Sequence, residues 1–257
     1  MPVNLKKGLG FIHIPRNGGT TVEHLMGVHE NRPDWGLGSK NLNRSGDLEY
    51  LIGSDTQHLS HADMVDLLGD KGLSLYWFAV IRNPKDRLIS VICYMLGRPD
   101  ALTSKKKLLG SFRTIIKLWL RFYMGNLRSS LFHFRSQRQV SIHDPIIQHL
   151  MPQQMYLDLN FSDLKNSETD VSLYPFEEIS RISQHVEGLD TELPGTDIPN
   201  KSNKKPAPNQ FNLKLIRWFS AIFYRKDYQL YHNTLQNWKA KGEPLKLTQY
   251  LKIGSSN

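Results

Sequence analysis

Short apolar runs that stop at a turn, each followed by residues at helical spacing, recur along the chain. Gly8 to Ile14 is such a run; it breaks at Pro15, and Thr20 to Met26 then has the spacing of a first helix. Residues 27 to 55 are rich in Gly, Asn, Asp and Arg, which predicts a long surface loop with one short helix around Asp47 to Ile52. Ala62 to Leu68 is predicted helical. Leu75 to Ile81 is apolar without interruption, as a central parallel strand buried on both faces must be. An Arg-Asn-Pro turn ends it, and a helix follows from Lys85 to Leu96. Between 105 and 124, Leu108, Phe112, Ile115 and Trp119 repeat at helical spacing while Arg113, Lys117 and Arg121 recur every four residues on another face. Met155 to Leu159 is predicted as a further strand and Pro175 to Val186 as a helix. Pro194, Pro199, Pro206 and Pro208 mark 187 to 209 as a second long loop, and an aromatic helical region runs from Phe211 to Lys239. Strand-then-helix alternation predicts an α/β fold: a single P-loop-like domain over 1–257, with a central, mainly parallel sheet flanked by helices.

Composition narrows the class of partner. At 257 residues the chain fits one large α/β domain, with two small ones as the alternative, and its net charge of +9 points to anionic ligands. A single cysteine, Cys93, excludes an intramolecular disulfide and a cysteine-built zinc site. Met1 to Gly10 is too short and polar for a signal peptide, and no apolar run is long enough for a transmembrane segment, so a cytoplasmic location is expected.

Two segments carry the chemistry. The first is Pro15-Arg16-Asn17-Gly18-Gly19-Thr20-Thr21, between a strand and a helix, where glycines admit an anion close to the backbone and the helix start offers N–H groups. The second is Arg82-Asn83-Pro84-Lys85-Asp86-Arg87-Leu88-Ile89-Ser90, again after a strand, with cations and a hydroxyl. Neither common nucleotide pattern is present. A Walker A loop needs Lys-[Ser/Thr] after its glycines, whereas the cation here precedes them, and no G-x-G-x-x-G occurs at the loop. Two anion-binding corners suggest a ligand with anionic groups at both ends.

The pair of motifs resembles the carbohydrate (Golgi-type) sulfotransferases and their bacterial relatives, a group that includes the heparan sulfate 2-O-sulfotransferases. These enzymes use 3′-phosphoadenosine 5′-phosphosulfate (PAPS). Gln57-His58-Leu59-Ser60-His61, the stretch His149 to Leu157, Asn200-Lys201-Ser202, and Tyr224-x-x-Asp227-Tyr228-x-Leu230-Tyr231 resemble further family segments. The resemblance implies that Pro15 to Thr21 cradle the phosphosulfate, that Arg82 and Ser90 clamp the 3′-phosphate, and that no metal is required. It implies sulfuryl transfer to a hydroxyl of a saccharide or other acceptor, with Arg16 and His58 as catalytic residues and His61 as the runner-up for the base. One departure stands out: the family has lysine where this chain has Arg16, and an arginine fork is not a point-like donor. His13 is expected to be structural. For an anionic acceptor, Lys105 to Lys107, Arg113, Lys117, Arg121, Arg128, Arg135 and Arg138 are candidates, with Trp35 and Trp77 able to stack on a sugar but the latter better placed for a core. Alternatives are a noncatalytic binder of adenosine phosphates or acidic glycan, and an ATP-dependent P-loop kinase. No nucleic-acid pattern of exposed aromatics among basic residues is found on the strands.

Overall fold

The computed structural model describes residues 2–27, 50–51, 60–94, 96–132, 149–157, 170–191 and 206–255. Contacts divide the chain into two compact units, one made of Met1–Asn83, Pro152–Lys201 and Tyr224–Asn257, the other of Pro84–Met151 and Ser202–Phe223.

The first unit is a mixed α/β structure. Its strands are β1 (Val3–Asn4), β2 (Leu9–Ile12), β3 (Tyr50–Leu51), β4 (Tyr76–Ile81), β5 (Val171–Pro175) and β6 (Leu245–Lys246), in the order β3-β1-β2-β4-β5-β6. The central three are parallel, with Leu9 opposite Tyr76 and Trp77 opposite Val171; β1, β3 and β6 add antiparallel edges. Thus the parallel expectation describes the middle of the sheet. Alternation assigns its two faces. Leu9, Phe11, Phe78, Val80 and Tyr174 pack with Val22 and Leu25 of α1 (Gly19–Leu25) and with Ile182 and Val186. On the other face Trp77 is fully buried and lies across Gly10, its neighbour in register; a Cβ on Gly10 would sit 2.5 Å from the indole. Only glycine leaves that room. The indole N–H donates to the Gly72 carbonyl at 2.8 Å, between α2 (His61–Leu68) and β4, within the short α3 (Asp70–Leu73).

The second unit is helical where it is described: α4 (Pro84–Tyr94), a 3-10 turn at Pro99–Leu102, α5 (Lys105–Phe132) and, later in the chain, α7 (Gln210–Phe223). Phe112 of α5 stacks on Phe219 of α7 at 4.2 Å. Among the described residues no helix is long and apolar enough to cross a membrane.

Four expectations about elements need correction. Around Asp47 to Ile52 the described part, Tyr50–Leu51, is a strand, because β1 offers an unpaired edge to which Leu51 and Tyr50 add opposite Val3 and Asn4. Met155 does not begin a strand; it belongs to α6 (Gln153–Tyr156), one helical turn after Pro152. Pro175 ends β5 rather than starting a helix, and a 3-10 helix, Phe176–Gln184, follows. The terminal aromatic region breaks at Tyr224, whose backbone leaves helical geometry (φ −124, ψ 35), so α7 ends and α8 (Arg225–Lys241) begins. After it come β6 and α9 (Leu247–Ser255).

Candidate functional site

The first motif is a tight loop from the carboxyl end of β2 into α1. Asn17 N–H donates to the Ile14 carbonyl at 3.2 Å, and the turn this closes has Arg16 at φ 70; Gly18, just beyond it at the start of α1, is at φ 83. Glycine is at ease there; a side chain is not, and a left-handed arginine costs roughly 1–2 kcal/mol. The glycines also serve packing. A Cβ on Gly18 would collide with Ile179 and one on Gly19 with the His13 ring, so the loop lies down on the side chains beneath it. Asn17 is fully buried, and its amide donates to the Val80 carbonyl and to Gln153 Oε1, both at 2.6 Å. Its side chain is a brace that ties the loop to β4. Pro15 is buried, while Arg16, Thr20 and Thr21 are half-buried at the loop's outer side.

Arg82, the first residue after β4, comes to this same loop. Its Nη1 donates to the Arg16 carbonyl at 2.8 Å, and its guanidinium lies 4.3 Å above the Phe176 ring. The two sequence motifs therefore meet at the carboxyl ends of adjacent parallel strands, where ligands of α/β sheets bind. Gln153 holds the junction. Its Oε1 accepts from Arg82 N–H at 2.9 Å as well as from Asn17, and its Nε2 donates to the Arg82 carbonyl at 2.8 Å. Gln153 is positioned in turn by the buried Asp227 carboxylate, which accepts from the backbone N–H of Gln153 at 2.8 Å and of Gln154 at 3.2 Å. A negative charge at the start of α6 is well placed for those N–H groups.

Two histidines are described near the loops. His13 Nδ1 and Glu23 Oε1 are 2.7 Å apart, both residues buried, forming a pair that fixes the ring under Gly19. That agrees with a structural His13. His61 opens α2, is buried, and stands edge-on to Trp77 with ring centroids 5.1 Å apart. Burial pushes its pKa down to about 4, with Asp170 pulling weakly the other way. His58 lies outside the described residues, as do Trp35, Arg135, Arg138 and Asn200-Lys201-Ser202, and so do the side chains of Arg121 and Arg128.

Ser90 belongs to α4 in the second unit and is fully buried. Trp77 is core. Lys105, Lys106, Lys107, Arg113 and Lys117 are exposed on α5, Lys107 paired with Asp100. Among the described residues no three or more His, Cys, Asp or Glu converge as metal ligands. Sequence reasoning gave no role to Gln153, Asp227, Glu23 or Phe176. Gln153 and Asp227 do fall inside two of the stretches that carry the family resemblance, which was the available signal. No family model matches the chain, and neither does any curated protein or solved structure.

Proposed function

We propose that the protein is a PAPS-dependent O-sulfotransferase whose donor site is the β2–α1 loop together with Arg82. What carries this reading is the hydrogen bond from Arg82 to the Arg16 carbonyl, since it joins at one strand-end corner two cationic segments 66 residues apart in sequence. The residue types suit the donor: two guanidiniums and the Thr20 and Thr21 hydroxyls can surround phosphate and sulfuryl oxygens. When bound, PAPS supplies an activated sulfuryl group attached to a phosphate leaving group. Arg16 would hold the leaving phosphate and offset its charge, and the loop's backbone N–H groups would position the sulfuryl group for the acceptor. His58 would accept the proton of the acceptor hydroxyl. His61 is the poorer base, because a buried imidazole whose pKa is about 4 holds a proton weakly at neutral pH. The nucleotide-loop architecture is P-loop-like in the sense of strand, anion-binding turn and helix, without the Walker lysine.

Calorimetric titration with 3′-phosphoadenosine 5′-phosphate, no metal added and ATP as the comparison, tests the reading. Micromolar binding of the bisphosphate with little response to ATP is expected. Equal or stronger binding of ATP would replace the sulfotransferase reading with the kinase one. Bisphosphate binding with no turnover of any hydroxyl acceptor would favour the noncatalytic binder.

A further inference from the structure

The chain's positive charge is not shared between its units. Residues 84–151 and 202–223 hold sixteen Lys and Arg against three Asp and Glu, a net +13, while the remainder holds seventeen against twenty-one, a net −4. Within the basic unit, α5 and α7 carry no acidic residue at all. Both helices also leave large apolar side chains in solvent. On α7 these are Phe211, Trp218 and Ile222, at 48, 63 and 55% exposure. On α5 they are Leu109, Ile116 and Leu120, at 46, 38 and 59%.

The arrangement is ordered. At 3.6 residues per turn, each apolar trio spans an arc of only about 40°. Next to it on α5 runs a cationic stripe of Lys106, Arg113 and Lys117, and next to it on α7 lie Lys214 and Arg217. On the other side of each apolar trio from its cations, about 100° round the helix, the residues are buried: Leu108, Ile115 and Trp119 on α5 and Asn212, Ile216 and Phe219 on α7. The two helices meet at two points that follow in the same order along each. Their amino ends are joined by Asn209 Nδ2 donating to the Thr103 carbonyl at 3.0 Å and Asn212 Nδ2 to the Leu102 carbonyl at 2.9 Å, and Phe112 stacks on Phe219 farther along. Viewed from those ends, the apolar arc on α5 lies clockwise of Phe112 and that on α7 anticlockwise of Phe219. Both arcs therefore open to one side, and the cationic stripes form the two outer margins. Lys105 Nζ, 4.6 Å over the Phe211 ring, spans the strip at its start.

We propose that this α5–α7 face docks on an anionic lipid bilayer surface. An apolar strip with exposed tryptophan between cationic margins is the pattern of helices lying in the membrane interface, where shallow burial of side chains and attraction to lipid headgroups act together. A second copy of the chain is a poorer occupant, because a symmetric contact would set these cations against their own kind. Nucleic acid would leave Leu109, Ile116 and Leu120 without a use.

Co-sedimentation of the full chain with phosphatidylcholine vesicles, and with vesicles of equal parts phosphatidylcholine and phosphatidylglycerol, tests it. Binding is expected to the mixed vesicles and not to the neutral ones. The double variant Leu120→Ser, Trp218→Ser should weaken it at least tenfold, from about 0.025 kcal/mol per Å² of apolar surface kept out of water. Lys106→Gln and Lys117→Gln should each cost about fivefold. In the unaltered protein, brominated phosphatidylglycerol should quench tryptophan fluorescence, and Trp218→Phe should remove most of that quenching. The proposal is overturned by absence of binding to the mixed vesicles, by binding that the Leu120, Trp218 double variant retains in full, or by a dimer in sedimentation velocity that this variant abolishes.

Discussion

Gln153 offers the sharpest test of how the two arginine loops are held. Its side chain is fully buried and satisfies three groups at once: Arg82 N–H, the Arg82 carbonyl and one N–H of the Asn17 amide. Gln153→Ala leaves all three without that partner in a buried place, each worth roughly 1–3 kcal/mol, and allowing for water entering the space the loss should be about 3–5 kcal/mol. Set against a usual total of about 5–15 kcal/mol, that is a large fraction. Gln153→Glu separates hydrogen bonding from volume. A neutral carboxylic acid can still donate to the Arg82 carbonyl, whereas a carboxylate turns an acceptor toward an acceptor. The fold should therefore raise the new group's pKa above its unfolded value of about 4.3. Its stability relative to wild type should be highest below that value and be lost as pH rises through the folded pKa. Urea denaturation followed by tryptophan fluorescence, at several pH values, reads both effects. A loss below about 1 kcal/mol for Gln153→Ala, or a pH-independent difference for Gln153→Glu, would refute the claim that this amide couples the loops.

Two further outcomes follow from single residues. Arg16→Gly should raise stability by up to about 1 kcal/mol, because φ 70 suits glycine, yet weaken binding of 3′-phosphoadenosine 5′-phosphate; thermal melting and calorimetry together separate the two effects. His61 is held neutral by burial, its pKa near 4 against 6.5 unfolded, so it contributes stability above pH 6.5 that is lost as pH falls toward 4, by about 3 kcal/mol at most. His61→Phe should remove that part of the acid limb in urea titrations; an unchanged slope would show that His61 is not the group responsible.

Much of the framework was legible because burial on both faces writes an apolar run. Trp77 to Ile81 are each fully buried, and the strand they form is readable as it stands. β5 was not, although Val171 to Tyr174 are equally buried, because Ser172 interrupts the run and its hydroxyl is spent accepting from Lys246 Nζ at 2.8 Å. That partner lies 74 residues away, beyond any local pattern. α6 failed for a related reason: a single helical turn has no periodicity to read, and the carboxylate that caps it, Asp227, belongs to another helix. The two arginine motifs were visible as composition at strand ends, whereas their meeting through Gln153 depends on a residue remote from both.

The overall charge also conceals an uneven distribution between the two units. A net +9 suggests one basic protein facing one anionic partner, but the unit bearing Arg16 and Arg82 has a net −4 of its own. On the proposed reading, affinity for a nucleotide at the β2–α1 loop comes from the two guanidiniums and the backbone around them, and so should depend weakly on salt. The +13 helical unit acts through many exposed cations, so its attraction to an anionic surface should fall steeply as salt is added. Salt thus sorts the two: a nucleotide affinity that fell as steeply as vesicle binding would mean that diffuse charge, not the placement of Arg16 and Arg82, supplies the recognition.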